Sequence, residues 1–249
     1  MQSIIIRLWV PALILLLWQV VSSSEVVNPI LLPKLTDAFN AGVNLFSSGA
    51  IWQDLGSTAY RFIVGYGIAV IVGIPVGLLI GTFAWIHRSF EFILEFGRST
   101  PVTAFFPLFL LLFGIQDLSK IAMVSVASVF IVILNSAYGV KYASEIRKRV
   151  ADLYGANRFQ RFIYVTFWDA LPQIVVGLRT ALSLALIVVV VSEMFIGTRF
   201  GLGQRIFDAY TVSNSAQLYA LLIIIGTTGF VLNRFFIVIE TKLVHWGRS

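Results

Sequence analysis

Six stretches of apolar residues, most of them near the length needed to cross a lipid bilayer, dominate this chain. The hydrocarbon core of a bilayer is about 30 Å thick, so a spanning helix takes about 20 mostly apolar residues. The first stretch covers about Ile4–Val21, with Arg7 near its start, and the second about Ala59–Trp85. The third, Val102–Ile115, is short and is expected to begin near Ser99. The fourth is Ile121–Val140, the fifth Ile174–Ser192 and the sixth about Leu218–Leu232. Lipid offers no partners to backbone N–H and C=O groups, so segments of this kind form helices.

Composition agrees. Apolar residues make up 58% of the 249 and charged residues 12%, against about 45–50% and about 25% in soluble domains. That balance leaves too little polar surface to cover a water-soluble globule. The expected fold is all-α, a polytopic membrane protein with about six transmembrane helices. Residues 1–23 form an N-terminal span, 24–58 an external segment and 59–249 the main transmembrane domain. The start has a second reading. Its basic opening, apolar run and Val21-Ser22-Ser23-Ser24-Glu25 resemble a secretory signal peptide. There is no cysteine, which excludes disulfides and thiolate sites.

The net charge of +6 is read against membrane topology rather than nucleic acid, because Lys and Arg collect on the cytoplasmic side. With the N-terminus inside, only Lys34, Lys120, Arg199 and Arg205 fall outside, and Arg61 begins a span. The remaining Lys and Arg, including the run Lys141, Arg147, Lys148 and Arg149, fall inside. Both termini and loop 141–173 are therefore expected in the cytoplasm.

Within the spans, Gly65, Ala69, Gly73, Gly77 and Gly81 recur every four residues and stack on one face of the second. Small residues let helices approach closely in lipid. Pro75 among them allows a hinge as a second reading. In the fourth span Ser125, Ser128, Val132, Asn135 and Gly139 share a face. Ser125, Ser128 and Asn135, with Ser183 and Thr180 of the fifth, are candidates for a translocation path. Interhelical hydrogen bonding is the alternative. No ionisable residue lies near the centre of any span, whereas ion-coupled transporters usually place one there. If something is moved, its energy arrives from a partner protein.

Loop 141–173 is basic and reads helically on both sides of Gly155, first through Ala151-Asp152-Leu153-Tyr154 and then over Ala156–Thr166. Phe159, Phe162, Ile163 and Phe167 are interleaved with Arg158 and Arg161, and Pro172 precedes the fifth span. Physics leaves two uses open: an amphipathic segment on anionic headgroups, or a docking site for a cytoplasmic partner.

Over residues 54–246 the chain resembles the permease subunits of type I ABC importers, in the branch serving nitrate, sulfonate, taurine and thiamine-precursor systems. The blocks that carry the resemblance are Val64-Gly65-Tyr66-Gly67, Gly73-Ile74-Pro75-Val76-Gly77, Pro107-Leu108, Phe113-Gly114, Ser119-Lys120-Ile121, Asn135 and Gly139-Val140. Gly155-Ala156, Ala170-Leu171-Pro172, Gly177-Leu178-Arg179, Glu193-Met194 and Gly201-Leu202-Gly203 follow in order. The resemblance implies a type I importer fold in the plasma (inner) membrane of a bacterium. It implies a coupling element, the EAA motif, in which Ala151, Gly155, Ala156, Arg158, Leu171 and Pro172 dock into a cytoplasmic ATPase subunit. It also implies a second permease copy, an external substrate-binding protein, and no cofactor. Two positions depart from the motif: its usual Glu falls on Arg149, and a proline common in the branch falls on Trp168.

No Walker A pattern is present, so ATP hydrolysis is expected in the partner. An intramembrane enzyme would need convergent catalytic groups, and His87 and His245 lie far apart in sequence. A non-transporting membrane scaffold is the alternative function.

Overall fold

The computed structural model describes residues 2–24 and 26–244. His245, Trp246 and Arg248 lie outside the described residues. The described chain is helical, with no strand: α1 (Gln2–Ser23), α2 (Leu35–Ser47), α3 (Ala50–Thr82), α4 (Ala84–Ser99), α5 (Phe106–Phe113), α6 (Asp117–Lys141), α7 (Glu145–Leu153), α8 (Arg158–Arg161), α9 (Phe167–Ile196), α10 (Leu202–Thr211) and α11 (Ser215–Leu243). A 3-10 turn, Val102–Phe105, leads into α5, and a π-helical turn, Phe162–Thr166, joins α8 to α9.

Four described helices are long and apolar enough to cross a bilayer: α3, α6, the continuous run Arg158–Ile196, and α11. A fifth arises if α4 and Val102–Phe113, bent by 89°, are counted as one. The bend has a local cause. Pro101 disfavours helical backbone at the residue before it, and Thr100 is extended at φ −80°, ψ 124°. The expected third span is therefore a short helix entered at a corner. α1 has 22 residues, of which Trp9–Ser23 form an apolar run. The second span starts nine residues before the expected Ala59 and stops at Thr82, with extended Phe83 separating it from α4. The fifth has no loop before it, since helix runs through Pro172 from Arg158. Helix α3 is likewise continuous through Pro75.

Two compact units divide the chain, residues 1–58 with 199–228 and residues 59–198 with 229–249. In the first, the Trp18 indole N–H donates to the Pro33 carbonyl at 2.9 Å, and Leu35 N–H donates to Gln19 Oε1 at 3.1 Å. These bonds tie the end of α1 to the start of α2. Asp54 accepts from Gly201 N–H at 2.9 Å and from Arg205 Nε at 2.5 Å, and Leu202 N–H donates to Thr58 Oγ1 at 2.9 Å. The first N–H groups of α10 have no intrahelical partners, and a carboxylate there also suits the positive end of the helix dipole. The Gly201-Leu202-Gly203 block is buried at this junction.

The second unit is built on α3, α6 and α9. A Cβ added at Gly65 would lie 2.7 Å from Val124 Cβ, at Gly73 2.8 Å from Val132 Cβ, at Gly77 2.5 Å from the Ile133 carbonyl oxygen, and at Gly81 2.6 Å from that of Ala137. The glycine ladder is thus the contact face of α3 on α6. Gly139 meets Ala170 and Gly177 meets Asn135 in the same way, at 2.7 Å and 2.3 Å, which brings α6 against α9. Close approach through small residues is what packing in lipid rewards.

One end of this unit buries charge. Arg61, on α3, donates to Glu193 at 2.5 Å, Asp117 at 2.8 Å and Thr198 Oγ1 at 2.8 Å. Arg61 and Glu193 are sealed from solvent, whereas the Asp117 side chain is half exposed. Lys120, also sealed, donates to the carbonyls of Ile115 and Gln116 at 2.5 Å and 3.3 Å. In the sequence Arg61 begins the second span and Glu193 follows the fifth. The fold joins them across 132 positions of sequence.

Two predictions follow from this packing. Gly77→Ala should destabilise the protein by about 1–3 kcal/mol, because α3 must move off α6, although alanine favours helix. Gly67→Ala, where a Cβ meets nothing within 4 Å, should be neutral or stabilising; thermal unfolding in detergent compares them. Arg61→Met should lose about 3–5 kcal/mol by removing the guanidinium from the buried Glu193 carboxylate, and Arg61→Met/Glu193→Gln should recover much of that loss in the same assay.

Candidate coupling and translocation site

The segment after α6 folds as two helices around one glycine. Ser144 caps α7, its hydroxyl accepting from Arg147 N–H at 3.4 Å, with Glu145 in the first turn where a carboxylate suits the dipole. Asp169, near the start of α9, accepts from Ser144 N–H and from Arg147 Nε, both at 3.0 Å. It anchors the start of α7 to the helix that becomes the fifth span. At the other end Arg161 Nη1 donates to both oxygens of Asp152 at 2.8 Å. Lys148 donates to Glu145 at 2.9 Å and holds that carboxyl below the usual carboxylate range.

The turn is a Schellman motif. Ala156 N–H donates to the Ala151 carbonyl and Gly155 N–H to that of Asp152, both at 3.0 Å, closing the last carbonyls of α7. Gly155 has φ +77°, a conformation open to glycine and strained for side chains with a Cβ branch. Asn157 and Gln160 then form a reciprocal capping box that starts α8. Of the six expected coupling residues, Ala151, Gly155, Ala156 and Arg158 lie in or beside this turn. Leu171 and Pro172 lie inside α9, half-buried. The expected helix Ala156–Thr166 begins at Arg158 and does not stop.

This helical turn presents large apolar side chains to solvent. Leu153 is 87% exposed and Tyr154 89%, with Ile146, Val150 and Phe159 also exposed. Ile146, Val150 and Leu153 fall on one face of α7 at helical spacing, and Tyr154 follows on that side at its C-cap. Arg149 and Trp168 are both exposed. Sequence reading missed the apolar face of α7 and the anchoring Asp169. The cap signature Ser144-Glu145 ahead of the periodic run was the available signal for the first.

The candidate path residues separate. Ser125 Oγ donates to Gly65 O at 3.0 Å and to Ile121 O at 2.8 Å, which bonds α6 to α3. Ser128 is fully buried. Asn135 accepts from Gln173 Nε2 at 2.9 Å and donates to Ile131 O at 2.9 Å, which bonds α6 to α9. Ser125 and Asn135 thus bond α6 to its neighbours, with Ser128 buried on the same helix. Ser183 lies on an exposed face of α9 with Val176, Thr180 and Ile187, its hydroxyl donating to Arg179 O at 3.4 Å.

Comparison with known proteins places this architecture. The family model described as binding-protein-dependent transport system inner membrane component matches residues 73–245. The chain is 29% identical over 240 residues to the taurine transport system permease protein TauC of Escherichia coli, covering 94% of this chain and 87% of that protein. It is 28% identical to the nitrate import permease protein NrtB of Synechocystis, covering 94% and 86%. It is 27% identical to the bicarbonate transport system permease protein CmpB of Synechococcus elongatus, covering 89% and 82%. Among solved structures it is similar to a chain of the MetNI methionine ABC transporter in an inward-facing form, with a TM-score of 0.67 at 17% identity, covering 77% of this chain and 94% of that one. With the type I importer permease fold in place and the family model spanning most of its length, the chain belongs to the inner membrane components of binding-protein-dependent transport systems.

Proposed function

We propose that this chain forms the translocation path for a small solute and that the helical turn centred on Gly155 transmits force from a separate ATPase. The observation that carries the reading is the pair formed by a rigid anchor and an exposed tip. Asp169 fixes the start of α7 to α9, and the tip offers Leu153 and Tyr154 to solvent. Exposed apolar side chains at a conformationally fixed turn suit a protein groove, since isolated contacts of this size gain nothing in water. A push on the tip reaches α9 through the continuous helix Arg158–Ile196. The arrangement supports a docking role for Ala151, Gly155, Ala156 and Arg158, with Leu171 and Pro172 in the transmitting helix.

Orientation follows the distribution of Lys and Arg, with both termini and the α7–α8 turn in the cytoplasm. A second permease copy completes the path. The exposed face of α9 bearing Thr180 and Ser183 supplies polar groups to it, and Ser125 and Asn135 bond the helices behind it, with Ser128 buried among them. An external binding protein delivers the solute. The relatives carry names for taurine, nitrate and bicarbonate transport, so a small solute bearing an oxyanion group is the substrate class proposed. ATP hydrolysis belongs to the partner.

Backbone strain gives a clean test. A Cβ at Gly155 meets nothing within 4 Å, so substitution acts through its positive φ alone. In the assembled transporter in vesicles, Gly155→Val should cut ATP-driven uptake at least tenfold while the chain still inserts in the membrane. Gly155→Asn, which tolerates this conformation, should retain most of it. Equal uptake by Gly155→Val and the unaltered protein would contradict the coupling role and favour a scaffold. ATP hydrolysis by the purified chain alone would contradict the partner assignment.

A further inference from the structure

An open pocket of about 940 Å³ lies where α3 ends, beside α6 and α8. Its wall is largely apolar. Pro75 and Leu79 line it along α3 and Phe83 just beyond its end, and at about 1.5 Å per residue the stretch from Pro75 to Thr82 runs roughly 10 Å along the span. Its rim is cationic, made of Lys141, Lys148, Arg158 and Arg161, and no Asp or Glu lines it. Two of these cations are committed: Lys148 to Glu145 and Arg161 to Asp152. Among the described residues Lys141 and Arg158 form no ion pair, and both are exposed. Phe159, 72% exposed, closes the rim beside them.

We propose that this pocket binds one anionic phospholipid, with its phosphate between Lys141 and Arg158 and the upper part of an acyl chain along Leu79 and Pro75. Charge complementarity and the length of the apolar wall along α3 carry the assignment. Two cations without carboxylate partners stand at the membrane–water boundary, where each attracts anionic headgroups. A free phosphate would satisfy those cations and leave the apolar wall without a use. A docked ATPase is the lesser fit, because Ile146, Val150, Leu153 and Tyr154, the exposed apolar face of α7, do not line the pocket. The site joins α3 to the helical turn through a lipid, so membrane composition would set how freely that turn moves. The binding proposal needs the membrane assignment of α3 and α6 and does not depend on the coupling role or on which side of the membrane the turn faces.

The test is lipid binding by the full chain in mild detergent, read by native mass spectrometry, which keeps it separate from any failure of transport. Dioleoyl phosphatidylglycerol, dioleoyl phosphatidylcholine and glycerol 3-phosphate are the probes. Phosphatidylglycerol should give one tight adduct and phosphatidylcholine at least tenfold weaker binding. Lys141→Gln/Arg158→Gln should weaken the phosphatidylglycerol adduct at least tenfold, at about fivefold per cation or more. Leu79→Trp, which fills the apolar wall, should weaken it as well. Arg149→Gln removes an exposed cation that does not line the pocket, and should leave binding unchanged. Equal binding of the two lipids, an unaffected double variant, or an equal loss in Arg149→Gln would overturn the proposal. Displacement of phosphatidylglycerol by equimolar glycerol 3-phosphate would reassign the site to a soluble anion.

Discussion

Backbone-to-backbone approach of α3, α6 and α9 is the constraint on which the rest of this structure depends. Lipid gives apolar side chains no reason to leave it, so helices associate only where their surfaces fit closely. Gly65, Gly73, Gly77 and Gly81 remove the side chains that would hold α3 away from α6, and Gly139 and Gly177 do the same between α6 and α9. Once the backbones meet, the polar groups near them find partners across the gap. Ser125 reaches Gly65 O, Asn135 reaches Gln173, and the Tyr66 hydroxyl reaches Leu178 O. These bonds set register in a contact that apolar packing alone leaves free to slide.

Register matters because both ends of the trio carry specialised structure. At one end Arg61, Asp117 and Glu193 come from three different helices, and their ion pairs form only when α3, α6 and α9 are in register. A buried ion pair contributes little net stability against an apolar replacement, but breaking half of one is costly. The cluster therefore penalises misassembly more than it stabilises assembly. At the other end the helical turn around Gly155 is held to α9 by Asp169. Helix α9 is continuous through Pro172, so no loop separates the turn from the span.

Much of this was legible in the sequence. Apolar run length located the major spans, and spacing of four marked the glycine face of α3 before its partner was known. Gly155 announced its turn, because so few residues tolerate a positive φ. What stayed hidden was long-range. Nothing local marks Arg61 as the partner of Glu193, since each reads as a flanking residue of its own span. The stripe Ser125, Ser128 and Asn135 carries the same pattern for pore lining as for helix contact, and only the position of neighbouring backbones separates them. Pro172 reads as a boundary, yet it is accommodated within one helix just after the π-helical turn Phe162–Thr166. The bend at Pro101 was present in the sequence as a proline, but its consequence, a span divided at a corner, required the fold.

Absence of cysteine from the chain permits the most direct test of the central claim, that the tip of the α7–α8 turn contacts an ATPase. Single cysteines at Tyr154 and, as a control, at the exposed Trp85 on α4 would be introduced into the assembled transporter in native membranes. Each would be treated with a short thiol-to-amine cross-linker. The account predicts a cross-linked band from Tyr154→Cys, identified by mass spectrometry as containing the ATPase subunit, and none from Trp85→Cys. Cross-linking to the ATPase from Trp85→Cys and not from Tyr154→Cys would contradict it.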